Sequence, residues 1–426
     1  MSNESLCRTN HFAGGNLELG LNLMIVWAAQ FVPSSWLVKA TRIFGLVVAV
    51  SLSGCGSSGG DSAGPSLAAQ AKMTPAATLG EQIFKDVNLS EPSGQACASC
   101  HDASKAHASN ITVEPGAVIG RFGFRNAPSL RYLKFAPDFG YGDDGPVGGF
   151  FRDGRARNLI DQAQRPFVNH NEMNNADVVA VIAKLSAASY AGEFARVWGE
   201  KIFADPVNAF NKIALSLAAY QREDVDFAPF SSKFDLWLAG KEKLNERELQ
   251  GWALFNDPEK GNCAACHPSK GPDPKTPPLF TDHTYDNLGL PRNPAIAANT
   301  DADYFDLGLC GPTRLDITNA ALCGAFKVPS LRNVALTAPY FHNGIFNSLR
   351  DAVKFYVTRD TQPELWYPAD GNGRVFKFND LPEKYQGNVN ITEVPYNRLP
   401  GQEPALNDDE IDLVVEFLTT LTDGFR

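Results

Sequence analysis

In "NSLRDAVKFYVTRD", Asn347 to Asp360, apolar side chains recur at Leu349, Ala352, Val353 and Tyr356. That i, i+3, i+4, i+7 spacing puts all four on one face of a helix. Near the C-terminus, "LNDDEIDLVVEFLTTL" predicts a second amphipathic helix. Asn407 serves as its N-cap, and acidic residues fill the first turn, where the positive end of the helix dipole favours them. "LGEQIFKD" (Leu79–Asp86) and "QGWALFND" (Gln250–Asp257) each predict a short amphipathic helix. Alternation with period two, the mark of a strand, is rare. The pattern predicts an all-α chain with long loops.

The last two segments match each other as G-x-x-[I/L]-F-x-D, and the match extends downstream. "APSLRYLKFAPDF" followed by "FFRDGRARNLIDQA" parallels "VPSLRNVALTAPYFHNGIFNSLRDAV": both run P-S-L-R, then A-P, then F-x-[D/N]-G. An internal duplication is expected, giving domains at 76–239 and 240–426 with a boundary in "DLWLAGKEKLNERELQ".

The N-terminus breaks this pattern. Lys39 and Arg42 precede "IFGLVVAVSLSGC", whose apolar run Ile43–Leu52 is too short to span a bilayer as a mature helix. "LSGC" resembles a bacterial lipobox, in which Cys55 carries lipid and becomes the first residue. Residues 1–54 then read as a signal peptide, long enough that Met24 is an alternative start. Residues 55–75 read as a Gly/Ser/Ala tether with nothing to bury. Gly56 rather than Asp after the cysteine points to the outer membrane or cell surface, with a periplasm-facing position the alternative.

At 426 residues, 44% hydrophobic and 20% charged, the chain has room for two ordinary globular domains. Its formal charge of −10 argues against a nucleic-acid partner, which would need a basic face. It fits either a basic protein partner or a plain solvated acidic surface. Of the eight cysteines, Cys7 and Cys55 lie in the leader region. Four form "CASCH", Cys97 to His101, and "CAACH", Cys263 to His267, the c-type haem attachment motif. Two thiols at that spacing can make thioethers to both vinyl groups while the adjacent histidine ligates iron. A redox dithiol or a zinc half-site is the competing interpretation of each motif alone. Cys310 and Cys323 are left, as a disulfide in an oxidising compartment or as two free thiols.

The two Cys-x-x-Cys-His motifs, "RNAPSL", "DGRARNLIDQAQRPFVNHNEM" and "VPSLRNVALTAPYFHNG" together resemble the bacterial dihaem cytochrome c peroxidases, specifically their MauG-type branch, over roughly residues 76–426. The resemblance implies two cytochrome c-like domains, two covalent haems c, and His101 and His267 as proximal iron ligands. It implies Glu172, in "NHNEM", as the acid–base residue above the first haem, with Gln162 ten residues earlier as its hydrogen-bonding companion. Relatives that plug the first haem with a histidine carry it in the loop after the first motif. Here that loop has only His107, too close to His101 to match. Tyr356 falls where peroxidases of the family carry a methionine ligand to the second haem and the MauG-type branch carries tyrosine. No methionine follows Met173. A calcium ion between the domains is also implied, through Asn126, Thr337 and Pro339. One departure stands out: the family's tryptophan before the "DGR" motif is Arg152 here. His342 is expected to make a structural hydrogen bond near the second haem, and His283 to be a surface or packing residue.

Three functions follow. The first is an enzyme that uses hydrogen peroxide to form a high-valent haem state and oxidises an aromatic residue, tryptophan above all, on a partner protein. The second is a peroxide scavenger fed by a small cytochrome, and the third a pure electron carrier. Tyr356 and the missing plug favour the first over the second. Glu172 and Gln162 weigh against the third.

Overall fold

The computed structural model describes residues 72–426. The signal-peptide, tether and Cys55 expectations lie outside the described residues. Among those described, ten α-helices carry the fold: α1 (Pro75–Lys85), α2 (Cys97–Cys100), α3 (Leu159–Val168), α4 (Val178–Ser186), α5 (Ala191–Trp198), α6 (Pro206–Glu223), α7 (Lys233–Leu238), α8 (Glu246–Asn256), α9 (Leu349–Thr358) and α10 (Asp408–Thr419). Two antiparallel ribbons join them, β1 (Gly140–Gly142) with β2 (Gly145–Val147) and β3 (Tyr285–Asp286) with β4 (Phe326–Lys327). No single described helix is long and apolar enough to cross a membrane.

The chain is mostly helical, as its periodicity predicts. The expected cap of α10 is present: Asn407 accepts from the Glu410 N–H at 2.9 Å, and Glu410 accepts from the Asn407 N–H at 3.0 Å. Ser348 caps α9 with a single bond, accepting from the Asp351 N–H at 3.3 Å.

Two apolar cores divide the described chain. The first runs from Leu79 to Phe227 and forms where α1, α3 and α4 pack on α6. The second runs from Phe234 to Leu421 and forms where α8 and α9 pack on α10. Each contains the same kind of crossing. A Cβ on Gly80 would lie 2.0 Å from the Ser216 carbonyl oxygen of α6, and one on Gly251 would lie 2.0 Å from that of Leu413 on α10. These glycines open the two G-x-x-[I/L]-F-x-D segments, and hydrogen is the one substituent that lets the backbones approach so closely. The motif phenylalanines, Phe84 and Phe255, fill the cores below. The motif aspartates end the helices, Asp86 accepting from the Asn88 N–H and Asp257 from the Glu259 N–H, both at 2.9 Å.

The loops are held by buried charge. Asp153, fully buried, accepts from Arg155 at 3.0 Å and Thr313 at 2.7 Å, and sits 2.7 Å from Arg125. Arg125 also pairs with Asp306 at 2.6 Å. Breaking such a network leaves a bare buried charge, so it fixes the "DGR" turn in place. Cys310 and Cys323 form a disulfide, the first of the two alternatives.

Two candidate haem sites

The attachment motifs build one arrangement twice. The His101 N–H donates to the Cys97 carbonyl at 3.0 Å, and the His267 N–H to that of Cys263 at 2.9 Å. Each imidazole then turns its Nδ1 to a backbone carbonyl, His101 to His107 at 3.0 Å and His267 to Phe280 at 2.8 Å. A carbonyl can only accept, so Nδ1 carries the proton and Nε2 keeps the lone pair a metal needs. Burial lowers both pKa values, that of His101 to about 4, so both rings stay neutral.

The thiols answer the competing interpretations. Burial pushes Cys97, Cys263 and Cys266 up to about 12 and Cys100 higher still. Redox dithiols and zinc thiolates occupy electropositive surroundings that lower the thiol pKa, the reverse of what these have. None of the four is in a disulfide.

A cavity opens over each motif, about 340 Å³ at the first and about 240 Å³ at the second. Glu172 and Gln162 line the first with Cys97, Cys100 and His101. Burial raises the Glu172 pKa, while the Arg155 charge and the Asn169 amide partly oppose it. Arg155 is itself held over the Phe151 ring at 3.7 Å and against Asp153. Met173 is buried in the core beside Glu172, whereas His170 is exposed and turned to Asn174. His107 does not plug this cavity; its ring stacks on Phe227 at 4.4 Å and bonds Asp226 at 2.6 Å.

The apolar face predicted from Leu349, Ala352, Val353 and Tyr356 lies along the second cavity. Tyr356 lines that cavity together with Cys263, Cys266 and His267, its ring 6.1 Å from that of Tyr396 and 5.6 Å from that of Phe341. Burial, with Asp286 nearby, drives the Tyr356 pKa far above its usual value. The cavity alone therefore holds a neutral phenol, and only a bound cation would make it phenolate.

Residues 74–243 match the family model described as di-haem cytochrome c peroxidase. The methylamine utilization protein MauG of Paracoccus denitrificans (strain Pd 1222) is 36% identical over 364 residues, covering 82% of this chain and 88% of that protein. The cytochrome c551 peroxidase of Nitrosomonas europaea is 32% identical, covering 65% of this chain and 71% of its own. Among solved structures, the diheme peroxidase BthA from Burkholderia thailandensis E264 is 39% identical with a TM-score of 0.76, covering 83% of this chain and 87% of that one.

The chain belongs to the MauG-type dihaem peroxidase family.

It is therefore a peroxidase-type oxidoreductase with two haem c cofactors. The two cavities, each with paired thiols and a neutral imidazole, fit that cofactor. Calcium does not fit. Of the three expected ligands, Thr337 and Pro339 would offer only carbonyls, and Asn126 alone brings a side chain. The Asn126 Oδ1 accepts from Arg152 Nη2 at 2.6 Å, and its carbonyl accepts from Arg152 Nε at 2.8 Å. A guanidinium bound to those oxygens repels a second cation. The calcium expectation is corrected on this ground.

Sequence reasoning also missed residues at the first cavity. His283, expected as a surface or packing residue, is half-buried and lines that cavity, with burial lowering its pKa to about 4. Glu114 is a second carboxylate on the wall, accepting from Ser109 at 2.5 Å. Lys327 lines both cavities, its Nζ 2.5 Å from the Gly149 carbonyl. None stands in a motif, so no sequence signal pointed to them. His342 lies 3.2 Å from Asp380 and stacks on Phe326 at 3.5 Å beside the second cavity, a packing role close to the one expected.

Proposed function

We propose that hydrogen peroxide reacts in the cavity over His101, and that the enzyme draws the electrons from an aromatic side chain, tryptophan above all, on a partner protein. The observation that carries this is the difference between the two cavity linings, Glu172 and Gln162 in one and Tyr356 in the other. The haem bound at the first site supplies the two-electron reduction of peroxide. Glu172 takes the proton from one peroxide oxygen and returns it to the other. Burial raises its pKa above the ordinary glutamate value, which strengthens it as a base for the first half of that task. Gln162, on the same wall, orients the peroxide. At the second site Tyr356 provides an anionic oxygen, which favours oxidised iron where a thioether would favour reduced iron. The two halves, 76–239 and 240–426, are cytochrome c-like domains from a duplication, and lipid on Cys55 anchors the chain outside the cytoplasm.

Tyr356→Phe tests the assignment. Loss of the phenol oxygen should abolish the low-spin ferric signal of the second haem in electron paramagnetic resonance. An unchanged signal would return Tyr356 to a packing role. Similarity to a cytochrome c551 peroxidase supports the second reading, a scavenger taking electrons from a small cytochrome. Sustained peroxide consumption with reduced cytochrome c as donor, unaffected by Tyr356→Phe, would favour it.

A further inference from the structure

Arg152 lies where the two haem cavities meet and lines both. Its guanidinium forks onto a single residue, Nε to the Asn126 carbonyl at 2.8 Å and Nη2 to the Asn126 Oδ1 at 2.6 Å. The amide cannot turn away, because its Nδ2 donates to the Ile111 carbonyl at 3.0 Å and so fixes Oδ1 toward the arginine. Asn126 is itself 3% exposed and pinned to the second-site wall, its N–H donating to the His342 carbonyl at 2.9 Å. Arg152 is anchored from the other side, where its carbonyl accepts from the Lys327 N–H at 2.8 Å.

The charge at this point has no local counter-ion. Arg125, the neighbouring arginine, is neutralised by Asp153 and Asp306. Among the described residues no carboxylate oxygen lies within 4.0 Å of the Arg152 guanidinium. Its charge faces the Asn126 oxygens, dipoles that would otherwise face a metal ion. The planar guanidinium presents its Nε and Nη2 donors in a fixed fork that meets two oxygens of one residue at once.

We propose that the Arg152 guanidinium is the resident cation of the junction between the haem sites, seated on the Asn126 oxygens in place of a divalent metal. The holoenzyme then needs no calcium to hold its two sites in register, and Asn126 serves as the arginine's positioning residue.

The test compares metal content and spectra in the holoenzyme carrying both haems. After equilibrium dialysis against calcium, elemental analysis of the wild type should find far less than one calcium per chain. Chelation should leave its absorption and electron paramagnetic resonance spectra unchanged. Arg152→Ala frees Asn126, and that variant should take up one calcium per chain and lose its native spectra on chelation. Arg152→Lys keeps a cation at the junction and should stay metal-free, which covers the case where the alanine variant does not fold. Stoichiometric calcium in the wild type, removed by chelator with a spectral change that calcium reverses, would overturn the proposal. So would an Arg152→Ala variant that folds with both haems and takes up no calcium.

Discussion

The two attachment sites agree on one side and differ on the other. Each has the same construction at its attachment motif: paired cysteines two residues apart, a histidine whose N–H returns to the first cysteine, and an Nδ1 committed to a carbonyl. Elsewhere in the lining, one cavity carries a carboxylic acid with raised pKa and the other a phenol on a helix face. Holding a haem asks the same thing of both halves, while the reaction asks something different of each. The repeat is therefore strongest in "CASCH" and "CAACH" and fails beyond the F-x-[D/N]-G segments, where "NHNEM" has no counterpart.

The largest expected effect breaks the comparison on its shared side. Replacing Cys97 and Cys100 by alanine, or Cys263 and Cys266, should each remove one covalent haem and leave the other. Mass spectrometry of the denatured chains reads this directly, and a wild type with fewer than two haems would end the parallel. Next comes the side that differs. Glu172→Gln should leave both haems attached but slow the peroxide reaction by about 10²–10⁴, the usual worth of acid–base assistance, in stopped-flow measurements. Glu114→Gln, on the same wall but bonded to Ser109, should slow it far less; the reverse order would move the acid–base role to Glu114.

A pH profile sharpens the same point. Glu172 must be ionised to accept the peroxide proton, and burial raises its pKa, so the rate should fall with decreasing pH already above the ordinary glutamate range near 4.3. That acid limb should vanish in Glu172→Gln. The smallest effects return to the scaffold. Gly80→Ala and Gly251→Ala each drive a Cβ into a carbonyl of the facing helix, and each should cost about 1–3 kcal/mol. Similar drops in thermal midpoint would show that the two crossings carry equal strain; unequal drops would show one half has more room to adjust.

Where a property depended on neighbours in sequence, it was legible in advance. The face of α9, the Asn407 cap and the attachment motifs follow from short spacings, whereas the cavity positions of Glu172, Gln162 and Tyr356 were implied only by the family resemblance. The Arg152–Asn126 fork joins residues 26 apart, Lys327 reaches a carbonyl 178 residues away, and His283 comes to the first cavity from the second half of the chain. Each lies in a loop without periodicity, where the path of the backbone decides the neighbours. Calcium was expected because Asn126, Thr337 and Pro339 match a pattern; the pattern did not include what Arg152 would bind.

The Pro-Ser pairs that open the P-S-L-R segments of both halves, with Asn126, Arg152 and Lys327, line both cavities at once. The two cofactors thus have a party wall, with a single thickness of chain between their rooms. Side chains packed on one face cannot relax without moving those on the other, so substitutions on opposite faces should not add.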